Sequence, residues 1–104
     1  MDQEHIDFDT LPWETQLPGA RFKLHRKDSK QIRLVEFTSE FVEPHWCEKG
    51  HIGYVLEGTL ELAFKDRLVT YEKGSGIWIE AGDGCAHKAS SLTQFVRLVL
   101  VEDV

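Results

Sequence analysis

Between His45 and Gly58 the chain reads HWCEKGHIGYVLEG, and its first half holds three side chains that bind metals or move protons: His45, Cys47 and His51. Imidazole and thiolate are preferred zinc donors and also serve iron, copper and nickel. Side chains of an extended segment alternate between faces, so these three odd-numbered residues share one; a loop at Glu48-Lys49-Gly50 would loosen that alignment. Cys85 and His87 form a second pair of equal parity. A fold that sets the two segments side by side offers up to five donors to one cavity. The plainer alternative is a set of surface histidines and small buried thiols. A Cys47–Cys85 disulfide is disfavoured in a reducing compartment, whereas two thiols beside a cavity could cross-link reversibly.

The elements that must position these groups are strands. The chain has 104 residues, enough for one domain with one modest core. With 41% hydrophobic and 29% charged residues it has the balance of a globular protein. A formal net charge of -6 argues against nucleic acid and anionic membrane surfaces, which need a positive footprint. No apolar run reaches membrane-spanning length, and Met1 is followed by Asp2, Glu4 and Asp7, so neither signal peptide nor anchor is expected and the cytoplasm is the expected compartment.

Residues 1–20 read as an irregular arm with apolar anchors at Ile6, Phe8, Leu11, Trp13 and Leu17, interrupted by Pro12, Pro18 and Gly19. Residues 21–104 then follow a period of two. Strands are predicted at Phe22–Arg26, Ile32–Phe37, Ile52–Glu57, Thr59–Phe64, Leu68–Tyr71, Ile77–Ile79 and Phe95–Val101, with turns at Lys27–Lys30, Glu57-Gly58 and Lys65–Arg67. No window carries a helical face. The pattern predicts an all-β antiparallel sandwich or barrel.

Two stretches resemble the cupin family. Gly53 to Leu62, GYVLEGTLEL, resembles its strand-turn-strand signature, and Gly74 to Ser90, GSGIWIEAGDGCAHKAS, resembles its second motif. The likeness covers residues 30–101 and implies a jelly-roll β-barrel open at one end, often dimeric. Along the first motif Gly58 fits the closing glycine, His51 takes the glutamate position, Cys47 and His45 the two histidine positions, and Ser39 the opening glycine. Along the second, Gly74 and Gly82 fit, Glu80 replaces proline and Ser91 falls on the asparagine position. The histidine position falls on Cys85 by strict count and on His87 if the loop carries two extra residues; the run His-Lys-Ala-Ser favours His87. The family's usual site is three imidazoles and one carboxylate. The resemblance therefore implies a softer set here, His45, Cys47, His51 and His87, suited to zinc, iron, nickel or copper.

Two functions follow from the resemblance. One is a metal-dependent enzyme, dioxygenase- or isomerase-like, with Glu80 as acid or base and Tyr54 or Trp78 lining the pocket. The other is a module that senses a small ligand or metal and regulates a partner. No sequence motif names a reaction. Finally, Phe95–Val101 and Ile77–Ile79 are apolar at nearly every position, whereas strands buried on one face alternate. Cover is expected on both sides, from the barrel interior and from the arm or a second subunit, and a homodimer is the expected assembly.

Overall fold

A computed structural model describes residues 4–104; residues 1–3 of the expected arm lie outside the described residues. The strands are β1 (Glu14–Leu17), β2 (Ala20–Lys27), β3 (Lys30–Thr38), β4 (His51–Glu57), β5 (Leu60–Phe64), β6 (Leu68–Tyr71), β7 (Gly76–Ile79), β8 (His87–Ser91) and β9 (Phe95–Asp103). They form a six-stranded sheet in the order β1-β2-β3-β9-β4-β7 and a three-stranded sheet in the order β6-β5-β8, with antiparallel pairing throughout. This is the jelly roll that the strand spacing and the cupin-like motifs predicted. Among the described residues no helix is long and apolar enough to cross a membrane.

The turns follow from their residues. β2 and β3 are joined through Asp28-Ser29, and Asp28 takes the left-handed conformation at φ 55° that short polar side chains tolerate. Gly58 closes β4 at φ 78°, where a Cβ would lie 2.0 Å from the Phe95 carbonyl oxygen, so no larger residue fits. The arm is irregular to Trp13 except for one 3₁₀ turn at Phe8–Thr10, then joins the sheet as β1. Pro18 and Gly19 thus make a hairpin between β1 and β2. Lys23 donates from Nζ to the Phe8 carbonyl at 2.7 Å, and Trp13 lies under the Arg21 guanidinium at 4.0 Å, so the arm packs on the outer face of β2.

Alternate residues of each strand point into the barrel. Val35, Val55, Leu60, Ile77, Val96 and Leu98 are buried there and belong to one apolar cluster. The outer face of the large sheet carries a row of charges set by strand register: Arg21 on β2 faces Glu36 on β3, which faces Arg97 on β9, which faces Glu57 on β4. Glu36 is buried and accepts from both arginines, at 2.7 Å from Arg21 and 2.8 Å from Arg97. Two cations around one buried carboxylate offset its desolvation.

Within the single chain β9 is covered on its inner side. Its inward residues Val96, Leu98 and Leu100 are buried, but its outer Val101 is 37% exposed. Ile52 and Trp78 continue that row across β4 and β7, Tyr54 stands beside them, and Trp78 is 72% exposed. The arm's contacts fall on β2 instead.

Leu98, 2% exposed, fills the centre of the core. Leu98→Ala should cost about 2–5 kcal/mol, since it loses transfer free energy and leaves a cavity. Denaturant unfolding checks this; a loss within experimental scatter of zero would mean that the two sheets do not close on this residue.

Candidate metal centre

The inward face is not apolar throughout. At one end of the large sheet the register sets Arg26 on β2 opposite Gln31 on β3, and Gln31 opposite Glu102 on β9. His51, the first residue of β4, extends the row past Glu102. The Glu102 carboxylate is buried and accepts four hydrogen bonds. Oε1 takes one from Arg33 Nε at 2.7 Å and one from Gln31 Nε2 at 2.8 Å. Oε2 takes one from Arg33 Nη2 at 2.6 Å and one from His51 Nδ1 at 2.5 Å. Burial opposes the carboxylate's charge, but the bonds from His51 and Arg33 outweigh it and hold its pKa well below the usual range.

His51 therefore spends Nδ1–H on Glu102 and turns Nε2 toward Cys47 Sγ, 3.7 Å away. Cys47 is held in place by backbone: its N–H donates to the His87 carbonyl at 2.8 Å, and the His87 N–H donates back at 3.0 Å. His87 gives Nδ1–H to the Cys85 carbonyl at 3.0 Å, which leaves its Nε2 lone pair for the site. The two imidazoles meet edge to face with centroids 5.0 Å apart. One donor atom each from Cys47, His51 and His87 lies within 4.8 Å of the others. A cavity of about 360 Å³ opens beside them, lined by all three.

Both partners of the thiol–imidazole contact are displaced toward charge. The Cys47 thiol is lowered from 9.0 to about 6, chiefly by hydrogen bonds from His51 and His87. Burial works against charge on His51, yet Cys47 and Glu102 raise it from 6.5 to about 9. His87 is likewise raised, Cys47 and the Cys85 carbonyl overcoming burial. The donor chemistry fits a transition metal. The thiol ionises readily, both rings carry their outer proton on Nδ1, and each of those protons is already bound by an acceptor, as in most protein metal sites.

Of the residues singled out from sequence, Cys47, His51 and His87 converge and His45 does not. The chain takes five steps from Val42 to Cys47 against three from Ser90 to His87 between two β-bridges, so two residues bulge out. Pro44, which has no N–H to pair, lies in that bulge beside His45, and His45 is exposed there. Strand parity therefore does not reach back to His45. Cys85 stands in a 3₁₀ turn packed against the core and contributes its carbonyl. Glu80 accepts from Trp78 Nε1 at 3.2 Å, and Tyr54, like Trp78, is on the outer face. These three do not line the cavity beside the donors. The sequence reading missed Glu102, Arg33 and Gln31. The signal was a carboxylate on the inward parity of Val96, Leu98 and Leu100, and an arginine and an amide on that of Val35 and Phe37.

In the metal-free protein these shifts couple stability to pH. Cys47, lowered in the fold, adds stability that is full above 9.0 and is lost as pH falls through about 6. His51, raised in the fold, adds stability that is full below 6.5 and is lost as pH rises through about 9. The two slopes oppose each other between 6.5 and 9 and largely offset there, with the thiolate already formed; the raised His87 adds a contribution that falls as pH rises. The ultraviolet thiolate difference between wild type and Cys47→Ser should show a midpoint near 6, and a midpoint near 9.0 would break the pairing.

Comparison with known proteins agrees with this architecture. KdgF from a Halomonas species superposes with a TM-score of 0.77 at 20% identity, over 91% of this chain and 89% of that one. An RmlC-like cupin from Shewanella frigidimarina gives 0.80 at 12% identity, over 98% and 91%. The polyketide cyclase RemF from Streptomyces resistomycificus gives 0.79 at 22% identity, over 98% and 80%. At these identities the likeness is one of fold. No curated protein matches in sequence. Residues 32–95, more than half of the chain, match the AraC-like ligand binding domain, and the protein belongs to that family of small cupin domains.

Proposed function

We propose that this domain binds a divalent transition metal through Cys47, His51 and His87 and holds a small molecule in the cavity beside it. The carrying observation is the convergence of the three donor atoms within 4.8 Å of one another, at the wall of that cavity. A thiolate with two imidazoles suits zinc, iron, nickel or copper and not the oxygen-preferring magnesium or calcium. When bound, such an ion supplies Lewis acidity or redox chemistry, and three protein donors leave a further coordination position for a ligand. The chain's own groups do the positioning. Glu102 keeps the His51 proton on Nδ1, the Cys85 carbonyl does so for His87, and Arg33 and Gln31 fix Glu102. Both cysteines are free thiols, and a thiolate donor must stay reduced, which supports a cytoplasmic setting.

Ligand binding without turnover, in a sensing module, is the second reading, favoured by the description of the matched family. The same proposal includes a homodimer closed over the exposed row Val101, Ile52 and Trp78, because a contiguous apolar face of this kind marks a contact surface.

Elemental analysis after reconstitution should find about one metal per chain, falling at least roughly tenfold in Cys47→Ala, His51→Ala and His87→Ala but not in His45→Ala. A wild type that takes up no metal, or a His45→Ala variant that loses it, would overturn the assignment. Sedimentation should give a dimer at micromolar concentration and a shift toward monomer in Trp78→Glu; a monomeric wild type refutes the assembly.

A further inference from the structure

The cavity is charged against the grain of the protein. The chain as a whole carries -6, yet the ionisable side chains lining the cavity, apart from its histidines and Cys47, are Arg26, Arg33 and Lys49 against Glu43 and Glu102. Arg33 is tied to Glu102. Arg26 and Lys49 make no ion pair among the described residues, and both stand exposed at the rim. The guanidinium of Arg26 donates through Nε at 3.3 Å and Nη2 at 2.9 Å to Gln31 Oε1, a neutral acceptor, so its charge is aimed but uncompensated. Gln31 is itself fixed, since its Nε2 donates to Glu102. Arg26 therefore ends a hydrogen-bonded row that begins at His51, on the inward face of the sheet. Immediately below it the wall turns apolar, with Leu24 and Phe22 following Arg26 on the inward parity of β2.

A positive rim over an apolar wall selects one kind of molecule. We infer that the ligand of this cavity is a small organic anion, an apolar body carrying one carboxylate, whose head is taken by Arg26 at the rim while its body lies on Leu24 and Phe22. A planar guanidinium with one side already immobilised presents its remaining N–H groups as a fork that matches a carboxylate. Lys49, exposed in the segment that joins Cys47 to His51, adds an unpaired charge that draws anions toward an otherwise acidic protein. The volume of about 360 Å³ is at the small end for ligand sites, which run from about 300 to 1,000 Å³, and limits the body to one ring or a short chain. The inference rests on the reading of the cavity as a ligand site and names the class of ligand; it does not require the metal.

The test is calorimetric titration of the full chain with two matched pairs of probes, phenylacetate against phenylacetamide and hexanoate against hexanamide. Each acid should bind about tenfold or more tighter than its amide, the worth of one charge-assisted pair. Arg26→Gln should shrink that preference below about threefold, and Arg67→Gln, which removes the same charge from an exposed pair with Asp66, should leave it intact. The preference should also weaken with added salt. Equal binding of acid and amide, binding of neither, or a preference unmoved by Arg26→Gln would overturn the inference. Metal content, measured on the same samples, separates the two proposals. Acid preference in metal-free protein sustains this one while the metal reading falls, and metal uptake without acid preference does the reverse.

Discussion

Glu102 is the residue on which the interior depends. A carboxylate taken out of water is costly unless every lone pair finds a donor, and this one is enclosed by Arg33, Gln31 and His51. The arrangement serves both sides. Glu102 keeps its charge inside the barrel, and in return it dictates where a guanidinium, an amide and an imidazole stand. Because His51 must give Nδ1–H to Glu102, its Nε2 can only face Cys47. The geometry of the donor cluster is thus inherited from a carboxylate that is not itself one of the three donors.

The outer face of the same sheet repeats the device with Glu36 between Arg21 and Arg97. The two buried carboxylates lie on β3 and β9, the central strands, one on each side of the sheet. Ladder hydrogen bonds fix how far these strands can slip, and a one-residue slip would exchange the two faces and strand both carboxylates. Charge therefore specifies register here in a way that the nearly continuous apolar run of β9 cannot.

Against the cupin pattern of three imidazoles and one carboxylate, this protein redistributes the same chemistry. A thiol and an imidazole occupy positions that the resemblance assigns to an imidazole and a carboxylate, and the carboxylate reappears one hydrogen bond behind His51. The donors become softer while the charge near the site is kept. Around them the cavity grades from a polar row, His51 to Arg26, to the apolar wall of Leu24, Phe22 and Leu98, so its opening and its floor differ in polarity.

The sequence by itself determined the architecture. Two-residue periodicity, turn residues such as Asp28 and Gly58, and the absence of a helical face are local properties, and local conformational preference is enough to set strands and hairpins. It also brought Cys47, His51 and His87 forward as metal-binding types. What it could not determine was which of these meet. Pairing of the 42–47 segment with β8 is a long-range matter, and the two-residue bulge that expels His45 holds Pro44, which has no N–H to pair. Glu102 stands 51 residues from His51, and Arg33 stands 69 residues from Glu102. No spacing rule links positions so far apart, since it is the order β3-β9-β4 in the folded sheet that makes them neighbours. Tertiary structure decided the site because burial alone turned an inconspicuous glutamate near the chain's end into the group that aims the others.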